Sequence, residues 1–459
     1  EIAVTQRPPL GGDQVVAPSR TDPIAVEWSH GIGGPTGRRS RRHPWWTPIR
    51  VLLALATVTF AVAMLQKAPC VQTQWTDGSL RYSAMCYSDI PYLYTGRGMA
   101  EGVWPYSDTQ GRYQVMEYPV GISYFAYATG RLTEVVGAGP TAAERAKVAP
   151  DQIWGLPGMV TEVNQYFVVN AVLLAAVGLL ATYFLSLVHP RRPYDALWFA
   201  VSPCLLLTGF VNWDLLAVVC VAAALLGWSR DRPVLTGIAL GIGTATKLYP
   251  LFLLGALLVI CLRRRRLVDF GLVTAAGVVS WALLNLPAWL TGLKQWKVFW
   301  TFNSERGPDL GSLWLWFSLL GRSATPETVN LWSGVIFALA CVGVLLLGLK
   351  SPNLPSLAQL GYLILAAFLI TNKVYSPQYV LWMLPLAVLA RPRWRDLLIW
   401  QAGEVFYFGA VWLYLGEFTA SATSGAPDPL YLTAIVVRVL AQVYLAVMII
   451  RDLWRPFRN

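Results

Sequence analysis

Long apolar runs broken by short polar turns fill most of this chain. The first run, Pro48–Met64, follows a stretch without apolar periodicity. It predicts a membrane-spanning helix, since about 20 apolar helical residues cross a hydrocarbon core of about 30 Å. Further runs predict spans at Tyr166–Leu187, Asp195–Val211, Trp213–Trp228, Val234–Thr246, Tyr249–Leu262, Leu267–Leu290, Val329–Leu349, Leu357–Thr371, Tyr379–Leu389, Leu397–Gly416 and Tyr431–Ile450. The expectation is an all-α polytopic membrane protein with about twelve transmembrane helices. Several runs are short for a span and must be buried, tilted or partly re-entrant. Residues 1–47 predict a disordered basic tail, 48–450 the transmembrane domain, and 451–459 a second tail. Within the domain, 66–165 and 291–328 stand out as long polar loops. Val120–Val136 lies inside the first and fits either a short span or an interfacial helix. Ser312–Leu320 in the second reads as a partial or interfacial helix.

Charge settles the direction of these spans. The net charge is +11, and the basic residues gather in short runs between apolar segments. Arg38, Arg39, Arg41 and Arg42 precede the first span, and His189–Pro193, Arg263–Arg266, Arg391–Arg395 and the C-terminal tail follow at alternate turns. Cytoplasmic loops collect Lys and Arg, so both termini read as cytoplasmic and the 66–165 loop as extracytoplasmic. If Val120–Val136 spanned, the basic stretch at His189 would face outward, so the interfacial reading is preferred. Composition narrows the class further. The chain is 55% hydrophobic and only 13% charged, against about 25% charged in a soluble domain, which excludes a soluble one-core enzyme. No nucleic-acid recognition module is visible, so membrane topology rather than nucleic acid accounts for the positive charge, and membrane lipids are the expected surroundings. The protein reads as multi-pass in the plasma membrane.

This topology concentrates the unusual polar residues on the extracytoplasmic side. Asp77, Asp89, Glu101, Asp108 and Glu117 lie in the first loop, Asn212 and Asp214 at one turn, and Lys247 at another. Glu305, Arg306 and Asp309 lie in the second loop, with Lys373, Tyr375 and Gln378 in a late turn. Ionisable groups beside hydrocarbon default to a functional reading; solvated loop charges are the plain alternative for any one of them. The histidines, His30, His43 and His189, all fall in the tail or cytoplasmic loops. A carboxylate must therefore carry proton transfer on the outer side, and serine–histidine, cysteine–histidine and histidine-metal schemes are excluded there. No metal site is evident. Cys70 and Cys86 flank a polar stretch where a disulfide is allowed.

Asp89-x-x-Tyr92, then Gly102-x-x-Pro105-Tyr106 and Tyr118-Pro119, with Lys247-Leu-Tyr-Pro250 and Ser376-Pro377 later, resemble the GT-C membrane glycosyltransferases of the actinobacterial PimE-like and AftC-like family (glycosyltransferase family 87). The resemblance runs from Pro48 to Ile450, on short motifs. It implies a GT-C fold, a polyprenyl-phosphate sugar donor, inverting transfer on the extracytoplasmic side and a catalytic aspartate in the first outer loop, the position of Asp89. Mannose and arabinofuranose both fit, with a cell-envelope glycolipid or polysaccharide as acceptor. Family members often carry a histidine near the late Ser-Pro turn, where this chain has Gln378 and Tyr379, so nothing resting on that histidine carries over.

The chemistry fits the residues independently of the resemblance. A lipid phosphate leaves as a stable anion, so no general acid is required, but the acceptor hydroxyl needs a base, for which Asp89 is the candidate. Lys247, Arg306 and Lys373 are candidates to bind the donor phosphate. Glu117, Tyr92, Trp104, Tyr106, Tyr118 and Asp214 are candidates for acceptor or sugar binding. The expected cofactor complement is none beyond the lipid-linked co-substrate. A lipid-linked sugar transporter or flippase is the alternative, since it shares many spans and buried charges.

Overall fold

The computed structural model describes residues 22–32, 45–137, 139–419 and 427–455. Among these, every regular element is a helix. Five are long and apolar enough to cross a membrane: Pro48–Gln72, Met159–Val188, Leu267–Glu305, Pro326–Lys350 and Pro429–Trp454. Shorter apolar helices, including Leu215–Ser229, Pro233–Thr246 and Leu357–Thr371, pack among them. The protein is thus a polytopic helical membrane protein. Glycines let the Pro233–Thr246 and Leu267–Glu305 helices meet backbone to backbone, since a Cβ on Gly237 would strike the Val273 carbonyl and one on Gly241 the Gly277 carbonyl. Small residues at such crossings are the usual means of close helix packing in lipid.

Three expectations are corrected. The 1–47 tail is not wholly unstructured, because Pro23–Ile32 is helical, with the Asp22 carboxylate capping the amides of Ile24 and Ala25. That carboxylate also accepts from the Tyr194 amide. The rest of the tail, with Arg38, Arg39, Arg41 and Arg42, lies outside the described residues, as do 456–459 of the C-terminal tail. Asp195–Val211 is not one span. It breaks into Pro193–Ala196, Leu197–Ala200 and Pro203–Thr208, because Ser202 turns to cap the segment that Pro203 opens. The Leu267 helix does not stop at Leu290. It runs to Glu305 through a kink where Gly292 leaves helical geometry against the Tyr106 carbonyl, so much of the 291–328 loop is helix. Val120–Val136 and Leu313–Leu319 are helices.

The two ends of the bundle differ. At one end the arginine-bearing turns are stitched together: Arg263 donates to Gly348, Ser351 and Asn353, Arg266 pairs with Asp231, and Arg391 with Asp396 and Asp452. The helix Leu215–Ser229 ends beside these turns and begins at Asp214, and Pro233–Thr246 runs from Arg232 back to Lys247. Asp214 and Lys247 therefore share the opposite end.

Candidate functional site

Asp89 opens the short helix Ile90–Gly96, where an aspartate ordinarily spends its carboxylate on the first helical amides. Here it does not. Ser88 Oγ accepts from the Ile90 amide, and the Asp89 side chain makes no cap bond. Instead Tyr87 donates its hydroxyl to Oδ1 at 2.9 Å, and Asn212 donates Nδ2 to Oδ2 at 2.7 Å. The backbone is fixed as well, with the Asp89 amide 2.8 Å from the Val211 carbonyl. Asn212 is itself held, its oxygen accepting from the Trp213 amide while Trp213 Nε1 donates to Asn170. The carboxylate is thus gripped on both oxygens by neutral donors and has no direct ion pair among the described residues. Burial pushes its pKa above the ordinary aspartate range, and Asp214 adds to the rise, while Tyr87, Asn212 and Lys247 act in the opposite sense.

Asn212 also links Asp89 to a second group. Its Nδ2 lies 2.7 Å from the Tyr118 hydroxyl, and the Tyr118 ring sits beneath the Lys247 ammonium at 4.7 Å. Lys247 ends its helix in an extended conformation, and its Nζ is 3.4 Å from Asp214 Oδ1, which also accepts from Trp382 Nε1 at 2.6 Å. Asp214 Oδ2 is buried with no hydrogen-bond partner among the described residues. Gly121 lets the Val120–Val136 helix lie directly on Thr246, which brings Tyr118 over Lys247. Below this cluster a small void of about 20 Å³ touches Tyr106, Tyr118 and Trp281, and shares Leu248, Trp281 and Trp300 with an apolar groove of about 200 Å³. The groove runs between the Pro233–Thr246 and Leu267–Glu305 helices.

The structure brings Asp89, Tyr118, Asp214 and Lys247 together and seats the other candidates elsewhere. Arg306 pairs with Asp309, and Lys373 donates to Asn330 at 2.6 Å; burial and Arg306 lower the Lys373 pKa. The charges of Arg306 and Asp214 both reach Tyr379, whose ring stacks on Trp382 at 3.8 Å. Glu117 is committed to Arg97 through two bonds of 2.9 Å. Trp104 stacks on Tyr124 at 5.2 Å and donates to Thr291, beside buried Tyr106. Tyr92 lies on the other side of Asp89, stacked 5.7 Å from Tyr87. Cys70 and Cys86 are joined in a disulfide. Among the described residues no group of three or more His, Cys, Asp or Glu side chains is placed to hold a metal ion.

Sequence reasoning missed three contributors. Tyr87 is the partner of Asp89 two residues upstream. Lys67, buried near the end of the first long helix, donates to the Tyr87 carbonyl at 2.9 Å, and Asp89 is the carboxylate whose charge reaches it. A lone lysine inside an apolar run was the available signal. Arg438 and Glu404 form a fully buried pair at 2.7 Å, and Arg438 also holds the Tyr375 and Ser376 carbonyls, fixing the turn that leads to Trp382.

No curated protein matches the chain. Residues 155–371, just under half of it, match the family model of glycosyltransferase family 87. That match contains Asn212, Asp214, Lys247 and the whole groove wall, whereas Asp89 and Tyr118 precede it. The shared region therefore supplies the charged turn and the apolar slot, so the part of this membrane protein that carries both is similar to glycosyltransferase family 87.

Proposed function

We propose that the protein is an inverting glycosyltransferase that takes a sugar from a polyprenyl-phosphate donor and delivers it to a cell-envelope glycolipid or polysaccharide. The observation that carries this reading is the seating of Asp89 beside the Lys247–Asp214 pair, above an apolar groove. An isoprenoid tail matches a slot walled by Leu240, Leu251 and Trp281, and a phosphate above it meets Lys247. The acceptor hydroxyl gives its proton to Asp89 as its oxygen bonds to the anomeric carbon. The bond from that carbon to the phosphate oxygen breaks, and polyprenyl phosphate leaves with the electron pair. A positioned base of this kind contributes about 10²- to 10⁴-fold. Cation stabilisation of the leaving phosphate in a dry site adds a further large term.

Sidedness supports the same reading. The stitched arginine turns at the opposite end fit the cytoplasmic face, and the disulfide beside Asp89 fits an oxidising one. The resemblance in the sequence leaves mannose and arabinofuranose as the sugars. The test is transfer of radiolabel by the purified protein from mannosyl- and arabinofuranosyl-phosphopolyprenol, each supplied separately with membrane glycolipid. Label should pass from one of them. Failure with both, by a folded protein, would refute the reading.

A further inference from the structure

Asp89 has two faces, and only one is accounted for by the donor. Oδ2 looks through Asn212 to Tyr118, Lys247 and the groove. Oδ1 looks to Tyr87, and Tyr87 belongs to an aromatic ladder that leads away from the groove. Tyr82 and Tyr87 lie parallel at 6.1 Å, Tyr87 and Tyr92 at 5.7 Å, and Tyr92 and Trp154 at 5.9 Å, with interplanar angles of 14°, 18° and 20°. All four side chains are partly exposed, while Trp412 packs behind Tyr82 and Tyr87 and is buried. The Arg81 guanidinium lies 4.9 Å from the Tyr82 ring centre and 5.3 Å from that of Tyr92. It has no carboxylate partner among the described residues, and its Nε is buried without a hydrogen bond.

We propose that this ladder is the acceptor subsite: a sugar ring of the acceptor lies against Tyr82 and Tyr87 and takes hydrogen bonds from Arg81. This rests on the transfer reading above and deepens it. Flat aromatic faces receive the C–H faces of a saccharide through apolar contact, and rigid rings lose little entropy in doing so. An arginine held over rings rather than paired with an acid keeps donors available for hydroxyls. The placement also suits the chemistry. An inverting displacement needs the nucleophile on the side of the anomeric carbon opposite the leaving phosphate. Acceptor from the Tyr87 side and donor from the Lys247 side meet at Asp89 from opposite directions, and the hydroxyl proton goes to Oδ1.

The test uses the purified full chain with n-octyl mannoside as a soluble acceptor probe. Its turnover is followed with the donor that supports transfer, and its binding by saturation-transfer NMR without donor. Tyr82→Ala and Arg81→Ala should each raise the acceptor KM about tenfold and weaken the NMR signal, with the donor KM unmoved. Tyr82→Phe, which keeps the ring, should restore both. Lys247→Ala should do the reverse, raising the donor KM. A donor KM that rises with Tyr82→Ala, or an acceptor KM that does not move, would overturn the subsite while leaving the transferase reading intact. Octyl mannoside binding that is lost in Arg81→Ala, in a protein that transfers from neither donor, would keep the sugar subsite and refute the transferase reading. Absence of both binding and turnover in the wild type would overturn both.

Discussion

At the scale of single residues, the site depends on how Asp89 is kept usable as a base. Burial alone holds the proton on, and the Tyr87 and Asn212 donors favour the ionised form that accepts a proton from substrate. The base works only when ionised, so kcat/KM should rise with pH through a value above the ordinary aspartate range. Asn212→Ala removes a donor to the carboxylate and so raises that pKa further. The acid limb of the pH profile should move to higher pH, with the plateau at alkaline pH partly recovered. An unshifted limb would show that Asn212 does not govern the charge on Asp89. The sequence exposed Asp214 and Lys247 because lone charges at short turns between apolar runs are conspicuous, and Asp89 because it matches the position of an aspartate in the first outer loop that the family resemblance implies. It hid Lys67 and Tyr87 because their link to Asp89 runs through a backbone carbonyl and a phenol, neither of which leaves a pattern. It grouped Tyr92 with Trp104 and Tyr106 by proximity along the chain, whereas the fold places Tyr92 on the opposite side of Asp89 from the other two.

At the scale of elements, the irregular segment Met85–Asp89 is tied to the first long helix at three points. Gln66 donates to the Met85 carbonyl at 2.6 Å, Lys67 to that of Tyr87, and Cys70 is bonded to Cys86. One helix face therefore sets where Tyr87 and Asp89 stand. Closing a loop of this length is worth about 3 kcal/mol in the chain-entropy account. Replacing both cysteines by serine should lower the melting temperature and reduce turnover, because only two hydrogen bonds then tie the segment to the first long helix. Melting and turnover both equal to wild type would contradict this. The helices themselves were largely legible, Val120–Val136 and Leu357–Thr371 included. The failures have local causes. Ser202 and Pro203 break an apolar run whose hydropathy is continuous, and the Leu267 helix continues past Leu290 because Trp296 and Trp300 keep its polar end packed around the small void beside the groove.

At the scale of the whole molecule, the two ends of the bundle differ in kind. The arginine turns are bound to one another at one end, and the Asp89, Asp214 and Lys247 cluster lies at the other. Ser229 is exposed near the arginine end and Thr76 near the other. A membrane-impermeant maleimide should label Thr76→Cys on intact cells, and Ser229→Cys only after permeabilisation. The reverse pattern would place the site in the cytoplasm. Length and apolar composition made the membrane class plain from the sequence. The groove was not legible, because it arises where Gly237, Gly241 and Gly277 bring two helices together at one level and leave Trp281 and Trp300 to wall the space beside them.

Single-turnover transfer by purified Asp89→Asn protein, with a saturating lipid-linked donor, decides whether Asp89 takes the proton of the acceptor hydroxyl. The substitution keeps the shape and the possibility of bonding to Tyr87 and Asn212, so melting and donor affinity should match wild type. Transfer should fall by about 10²- to 10⁴-fold. An Asn variant that transfers at the wild-type rate would contradict the account.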